Sequence, residues 1–358
     1  MGLLLPNIGN PPEENMNQYI LRNDQVAGLI RTLVDSQWNV YGYGEDILSY
    51  AKIAGEKTID LSWHNPPTHI SAKELVFPQR EPVFFFNKKT DGVTLVDNPV
   101  SIPKTVLFGA KPCDAASFPV LEKIFNWDYK DGLFNTRLEN LTVIGLECDF
   151  CDEACFCTSV GLHQASEKGS DIFLKPLTDG SFLAKVITEK GREFVKLFSS
   201  FFVESDLEGL ERMQHKSTAP VTKFNLSDVK HFLDNNFEHP FWDKAGETCL
   251  GCAQCAYSCP VCHCFDIVDE DCSVDCGRRM KNWDACQFST FTQHASGHNP
   301  RESQEKRYRQ RISHKFKYYQ DKFNDTLCTG CGRCSRGCPV GVDIAEIVTA
   351  INQLEKTN

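Results

Sequence analysis

The chain has 358 residues, a formal net charge of −10 and 18 cysteines, with 41% hydrophobic and 24% charged residues. This length exceeds one ordinary hydrophobic core, so we expect two domains, at 1–218 and 219–358. The negative charge argues against nucleic acid as a partner, and no apolar run approaches the ~20 residues that a membrane-spanning helix needs.

The cysteines indicate where the protein works. Residues 1–17 lack the basic start and apolar stretch of a secretory signal, and we interpret them as a flexible arm. In a long chain without such a signal, many cysteines are more typical of metal ligands than of disulfides. Thiols that are kept reduced for metal predict a cytoplasmic and anaerobic setting.

The first half of the chain predicts an α/β domain with a mixed or parallel sheet. A helix is expected from Asn23 or Asp24, where apolar residues follow at helical spacing. A buried strand, a helix and a second buried strand then form a βαβ unit. The expected strands are 39–43, 83–86, 92–97, 105–109, 141–146, 172–175 and 182–187, and the later helices are 114–125 and 192–201.

Cysteines follow both strands of this βαβ unit at the point where each strand ends. Cys113 comes after the first strand, and the second leads into a loop with Cys148, Cys151, Cys155 and Cys157. The carboxyl ends of parallel strands meet at one edge of a sheet, where α/β proteins bind ligands. The sequence therefore predicts a third cluster site from five thiols, with zinc or scattered buried thiols as alternatives.

The second half contains two cysteine runs with the same spacing, C-x2-C-x2-C-x3-C-P. The first run is Cys249, Cys252, Cys255 and Cys259, and the second run is Cys328, Cys331, Cys334 and Cys338. In two-cluster ferredoxins, three cysteines of each run hold one 4Fe-4S cluster and the fourth ligates the other cluster. Zinc sites are the alternative, but they usually use two separate C-x2-C pairs.

This pattern predicts two 4Fe-4S clusters with crossed ligands. The first site comprises Cys249, Cys252, Cys255 and Cys338, and the second site comprises Cys328, Cys331, Cys334 and Cys259. A gap of 68 residues between the two runs argues against a compact small ferredoxin. We therefore expect a mainly helical, ferredoxin-like domain that carries two clusters and follows a linker near 216–220, with a short helix at 227–235.

The segment between the two runs contains further thiols and a basic stretch. Five thiols have no place in the two-run scheme, and we interpret them as structural, with zinc or another centre as alternatives: Cys262, Cys264, Cys272, Cys276 and Cys286. Residues 301–317 predict a helix rich in arginine and lysine, which we expect to pack beside anionic clusters or to dock a partner. His294 and His298 are expected to fix the backbone rather than to bind metal.

These motifs resemble a known family. The two runs, Lys111-Pro-Cys-Asp114, Cys155-Phe-Cys157 and His294-Ala-Ser-Gly-His298 are similar to the iron–sulfur electron-transfer subunit shared by two systems. One system is anaerobic sulfite reductase, where it is the A subunit, and the other is sulfhydrogenase-type nickel–iron hydrogenase, where it is the beta subunit. The resemblance implies that the third site uses Cys113, Cys148, Cys155 and Cys157, although Cys151 is an extra thiol that leaves the choice between Cys148 and Cys151 open.

The resemblance also implies a function without substrate chemistry. Such a subunit relays electrons between a flavin-containing subunit, linked to NAD(P)H or ferredoxin, and a catalytic subunit. We expect the catalytic partner to be an anaerobic sulfite reductase, with a cytosolic hydrogenase as the alternative. A thiol or heterodisulfide reductase is a rival of another class, motivated by the unassigned thiols. A scaffold with purely structural clusters is a further alternative.

Overall fold

The structure, a computed structural model, describes residues 18–44, 48–54, 59–98, 101–204 and 217–357. The predicted arm at 1–17 and the start of the predicted linker lie outside these residues. The described part contains twelve strands, which form two sheets. They are β1 Gln18–Leu21, β2 Asn39–Tyr43, β3 Tyr50–Ile53, β4 Arg80–Lys89, β5 Gly92–Asp97, β6 Thr105–Ala110, β7 Leu141–Leu146, β8 Ile172–Pro176, β9 Phe182–Val186, β10 Val203–Glu204, β11 Phe265–Asp271 and β12 Cys276–Trp283.

The larger sheet has eight strands in the order β10-β1-β9-β8-β7-β6-β2-β3. Its centre is parallel, because β2, β6, β7 and β8 run in one direction. The outer strands β1, β3, β9 and β10 pair antiparallel to their neighbours. The sheet is therefore mixed, which confirms the predicted α/β class for this part of the chain.

Helices cover both faces of the larger sheet. On one face lie α1 Asn23–Asp35 and α5 Glu189–Leu197, whose apolar sides join the core through residues such as Leu29 and Phe194. On the other face lie α2 Pro112–Ala115, α3 Ser117–Phe125 and α4 Gly132–Asn140, which connect β6 to β7. Because β6 and β7 are covered on both faces, their side chains are almost continuously apolar and buried.

Helices also dominate the chain after 217. They enclose a hydrophobic core of their own, which includes Phe232, Trp242, Ile312, Phe316 and Val348. The predicted helix at 301–317 begins at Gln304 and continues through a π-helical turn. The helices of this part are Leu226–Asn235, Phe241–Ala245, Gln254–Tyr257, Gln304–Ser313, His314–Tyr318, Tyr319–Phe323, Arg333–Arg336 and Ile344–Thr357.

The smaller sheet joins the two halves of the chain. Its order is β11-β12-β4-β5, so a hairpin from the second half pairs with a hairpin from the first. The junction is anchored by Glu81, whose carboxylate lies 2.8 Å from Arg137 and 3.0 Å from the buried Lys281. The two predicted domains thus share a sheet, and the boundary between 218 and 219 stays a prediction.

Candidate metal centres

The thiols of the first site line a single cavity. Cys249, Cys252, Cys255 and Cys338 surround it together with apolar residues such as Leu250 and Val340. The structure therefore brings the fourth cysteine of the second run to the first three of the first run, as the crossed pattern requires. Cys334 of the second site also borders this cavity, so the two sites are neighbours.

Two left-handed residues shape each cysteine run. Gly251 and Ala253 have φ values of 69° and 64°, and the corresponding Gly330 and Gly332 have 63° and 72°. A left-handed residue reverses the local direction of the backbone, so successive N–H groups turn toward one centre. The N–H of Gly330 accordingly lies 3.5 Å from the Cys328 sulfur. This geometry suits a sulfur-rich, anionic group.

At the second site, Cys259 lies close enough to Cys328 and Cys334 for its charge to raise the pKa of both thiols. Burial, and then the charge of a Cys259 thiolate, raise the pKa of Cys334 to about 12. Burial likewise raises the pKa of Cys328 to about 11. The Cys259 thiol behaves oppositely, because a hydrogen bond from Cys262 and the nearby Lys315 ammonium hold its pKa well below the usual range. Lys315 donates to the Cys259 sulfur over 3.3 Å.

The third site lies at the sheet edge where β6 and β7 end. Cys113, Cys148, Cys155 and Cys157 line one cavity there, and Cys331 of the second run borders the same cavity. Cys151 is exposed and does not line it. The loop and the strand end that are separated in sequence thus meet in space, and Cys148 rather than Cys151 faces the shared cavity.

Backbone contacts hold the third site against the second run. The N–H of Phe156 donates to the Gly330 carbonyl over 2.9 Å. A Cβ atom on Gly330 would lie 2.5 Å from the backbone of Cys157, and one on Gly332 would lie 2.6 Å from the Ala154 carbonyl oxygen. Only glycine allows this approach, so both glycines serve the turn and the contact.

Two arginines of the second run also contact residues of the third site. The Arg333 guanidinium lies 2.7 Å from the Asp114 carboxylate, and both side chains are essentially inaccessible to solvent. Asp114 directly follows Cys113 and also accepts a hydrogen bond from Tyr50 over 2.9 Å. Arg336 pairs with Asp152 and donates to the Cys155 sulfur over 3.1 Å. Sequence reasoning missed both arginines, because their partners are more than 180 residues away.

The basic helix presents three of its cations to the interior. Arg307, Arg311 and Lys315 are buried, at intervals of four residues on one side of the helix. Arg311 lies 3.0 Å from the Cys255 carbonyl oxygen and 3.5 Å from the Cys262 sulfur. The prediction that this stretch packs beside the cluster thiols therefore agrees with these contacts. Lys73 is a buried cation that the sequence did not reveal, and it donates to the carbonyls of Ala256 and Cys262.

The histidines and hairpin cysteines contribute to the local backbone structure. The N–H of His294 donates to the His298 carbonyl over 2.8 Å, which closes a turn. The thiols of Cys272 and Cys276 lie near the tip of the β11–β12 hairpin, where the N–H of Cys272 donates to the Cys276 carbonyl. Neither residue borders the first or the third cavity.

Comparison with known proteins identifies the class first. Residues 248–342 match the family described as a 4Fe-4S dicluster domain, so the chain is an iron–sulfur protein that binds 4Fe-4S clusters. It is 32% identical over 298 residues to "Sulfhydrogenase 2 subunit beta" of Pyrococcus furiosus, covering 82% of this chain and 86% of that protein. No solved structure gives a significant match.

The chain belongs to the sulfhydrogenase beta-subunit family and is an iron–sulfur electron-transfer subunit. This confirms the resemblance on the hydrogenase side, whereas the comparisons give no support to a sulfite reductase. None of the helices in the described part of the chain is both long enough and apolar enough to cross a bilayer.

Proposed function

We propose that this subunit relays electrons through three 4Fe-4S clusters, between a flavin-containing subunit and a catalytic subunit. The observation that carries the proposal is that the three sites are neighbours. Cys334 of the second site borders the first cavity, and Cys331 of the second site borders the third cavity. Clusters in these places would form an unbroken path with the second site in the middle. The flavin subunit would take electrons from NAD(P)H or ferredoxin, or return them.

The ligand sets proposed for the first and third clusters follow the two cavities, and the set for the second follows the cysteine spacing and the charges around Cys259. The first cluster uses three thiols of the first run and Cys338, and the second uses three thiols of the second run and Cys259. The third uses Cys148 rather than the exposed Cys151, together with Cys113, Cys155 and Cys157. Donors to sulfur support this assignment, because hydrogen bonds to thiolates favour the charged form that binds iron.

The catalytic partner is proposed to be a hydrogenase subunit in the cytoplasm. This choice rests on the name of the Pyrococcus furiosus relative, a sulfhydrogenase subunit. The sequence alone favoured an anaerobic sulfite reductase, which is the alternative partner. Anaerobic affinity purification of the tagged chain from its native host should retain a hydrogenase catalytic subunit. Retention of a sulfite reductase instead would overturn this part of the proposal.

The number of clusters is tested by counting iron and acid-labile sulfide in the anaerobically purified protein. Three clusters predict about twelve of each per chain. Cys148→Ser should remove about four iron atoms per chain, because it deletes a ligand of the third cluster. Cys151→Ser is the matched control and should keep all of them. Loss of iron in the control but not in Cys148→Ser would assign the ligand to the other thiol.

The crossed ligation is tested separately with Cys338→Ala. This change should perturb the electron paramagnetic signal of the cluster that Cys249→Ala also perturbs. If it altered the signal affected by Cys328→Ala instead, the runs would each hold their own cluster. Electron transfer itself requires that these signals appear upon chemical reduction of the protein. Signals that never respond to reductant would support the purely structural alternative.

A further inference from the structure

The two ends of the β11–β12 hairpin bring a pair of unassigned thiols together. Cys264 directly precedes β11, and Cys286 follows β12 by three residues. The N–H of Asp284 donates to the Cys264 carbonyl over 3.0 Å, which extends the pairing of the hairpin beyond its last strand residues. The Cys264 and Cys286 side chains lie close enough for their thiols to interact.

The two thiols of this pair differ in acidity. The hydrogen bond from Cys264 is the main cause that lowers the pKa of Cys286, to about 5, and the Arg311 guanidinium adds to it against the effect of burial. The side-chain amide of Gln287 also donates to the Cys286 sulfur over 3.6 Å. The same interaction between the two thiols raises the pKa of Cys264. A thiolate beside a protonated partner is the arrangement from which disulfides form and are reduced.

The pair lies between the first and second sites. A charge on Cys286 raises the pKa of Cys255, a thiol of the first site, although burial is the larger cause. On the other side, Cys264 interacts with Cys262, whose thiol donates to Cys259 of the second site. Arg311 spans both directions, because it contacts the Cys262 sulfur and the Cys255 carbonyl. The pair therefore lies within electrostatic reach of Cys255 of the first site and of Cys262 beside the second site.

We propose that Cys264 and Cys286 form a reversible disulfide that exchanges two electrons with the clusters beside it. This inference rests on the proposed function, because the clusters supply and accept those electrons. In the oxidising direction, one S–S bond forms, the proton on Cys264 leaves to solvent, and two electrons pass singly to oxidised clusters. In the reducing direction, two electrons from reduced clusters and one proton break the bond and restore the thiol–thiolate pair.

Such a disulfide–dithiol couple would allow the subunit to store two electrons at one site. A 4Fe-4S cluster carries one electron at a time, whereas hydride donors and disulfides react in pairs. The potentials of protein disulfides fall inside the range available to protein-bound clusters, so exchange in both directions is possible. Cys264 and Cys286 are both half-buried, which leaves room for a thiol reagent to test them.

The decisive measurement counts electrons in the intact protein. Anaerobic holoprotein is oxidised fully, assayed for iron, and titrated with titanium(III) citrate under spectroscopic monitoring. The wild type should accept two electrons more than it has 4Fe-4S clusters, and Cys286→Ser should accept only as many electrons as clusters. Cys272→Ser alters a thiol at the hairpin tip and is the matched control, so it should keep the two extra electrons.

Peptide mapping gives an independent second reading. After oxidation and alkylation with iodoacetamide, mass spectrometry should find a peptide that links Cys264 to Cys286, and prior reduction should replace it with two alkylated thiols. Cys264→Ser serves as the second variant if Cys286→Ser does not fold. The proposal is overturned if both thiols are alkylated in the fully oxidised wild type, or if the variants and the wild type accept equal numbers of electrons.

These outcomes are distinguishable from failure of the electron relay. Iron content and paramagnetic signals report the clusters, and the linked peptide reports the thiol pair. A linked peptide without reducible clusters would leave the disulfide but refute its exchange with the relay. Conversely, a loss of bound metal in both Cys264→Ser and Cys286→Ser would mean that these thiols are ligands, which also overturns the proposal.

Discussion

The two cysteine runs have the same spacing and the same left-handed turns, but they lie in different surroundings. The first run reaches the surface: Cys252 is exposed, and Leu250 is 68% exposed. The second run is enclosed, since Arg333 is 3% exposed and Gly330 touches the backbone of the third-site loop. The spacing therefore determines the shape of a cluster site, whereas its position in a relay depends on what packs around it.

The two sites also differ in the donors that reach their sulfurs. At the first site the side-chain amide of Gln304 lies 3.3 Å from the Cys249 sulfur. At the second site a buried ammonium, Lys315, lies 3.3 Å from the Cys259 sulfur. A full positive charge stabilises added negative charge more than a neutral amide does. We therefore expect the second cluster to have the higher reduction potential of the two.

The largest loss of stability is expected at the buried ion pair between Arg333 of the second run and Asp114 beside the third site. Asp114→Asn removes the charge that neutralises Arg333 inside the protein. Breaking a buried ion pair by changing one partner typically costs about 3–5 kcal/mol, because the remaining charge is left without compensation. The midpoint of denaturant unfolding of the anaerobic protein should fall accordingly, and the iron of the second and third sites should become labile.

An exposed ion pair provides the control for this change. Asp269 pairs with Arg279 on the solvent side of the smaller sheet. Asp269→Asn should leave the unfolding midpoint almost unchanged, since exposed pairs contribute little. If both variants lost the same stability, the interior pair would not be what locks the second run in place.

The next effect concerns the backbone contact between the second run and the third site. Gly330→Ala places a methyl group 2.5 Å from the Cys157 backbone at a φ of 63°. A left-handed alanine costs about 1–2 kcal/mol, and forced overpacking adds about 1–3 kcal/mol. We expect both a loss of stability and a loss of third-site iron, measured by denaturant unfolding and iron analysis.

Gly341→Ala separates the two causes. Gly341 has a similar φ of 69°, but a Cβ atom there would meet no atom within 4 Å. This variant should lose only the part of the stability that comes from backbone strain, and it should keep its third-site iron. Equal losses in Gly330→Ala and Gly341→Ala would mean that the contact with Cys157 has no importance.

The features that the two runs share are also those that could be predicted from the sequence. Local patterns were sufficient for several strands of the first half, since those predicted at 39–43, 92–97 and 141–146 coincide with β2, β5 and β7, but they did not reveal the strands β11 and β12. The cysteine spacing was sufficient for the turns of both runs, because a short repeated motif determines its own local shape. The βαβ order was sufficient to bring Cys113 near the Cys148–Cys157 loop.

Long-range partners could not be predicted in this way. The pairing of β12 with β4 joins residues that are 189 to 202 positions apart, and neither hairpin carries a sequence signal that identifies the other as its partner. Arg333 and Asp114 look like ordinary surface residues in the sequence, and only the fold buries them together. The same holds for Lys73, whose cationic side chain gives no indication of burial.

A smaller effect is expected from the ammonium group at the second site. Lys315→Met removes the cation beside Cys259 and should lower the potential of the second cluster. A hydrogen bond to a charged group is worth about 1.5–3 kcal/mol, and about 1.4 kcal/mol corresponds to roughly 60 mV for one electron. A redox titration followed by electron paramagnetic resonance should therefore find a drop of about 60 mV or more.

Lys317→Met is the matched control for this charge, because it lies on the same helical segment but pairs with Asp234 at the surface. Its cluster potentials should match those of the wild type within error. If both variants shifted the potential equally, general charge rather than the contact with Cys259 would be responsible.

The smallest effect is expected at the one point where the turns of the two runs differ. Ala253 holds a φ of 64° where the second run has Gly332. Ala253→Gly removes a backbone strain of about 1–2 kcal/mol that alanine carries in the left-handed conformation. The same change increases the conformational entropy of the unfolded chain, which costs about 0.4–1 kcal/mol of stability. The net gain should be about 0.5 kcal/mol in the free energy of unfolding, measured with denaturant. The reverse change, Gly332→Ala, should destabilise much more, since its methyl group would meet the Ala154 carbonyl. A neutral result for Gly332→Ala would show that the enclosure of the second run is loose, and that the two runs differ less than their surroundings suggest.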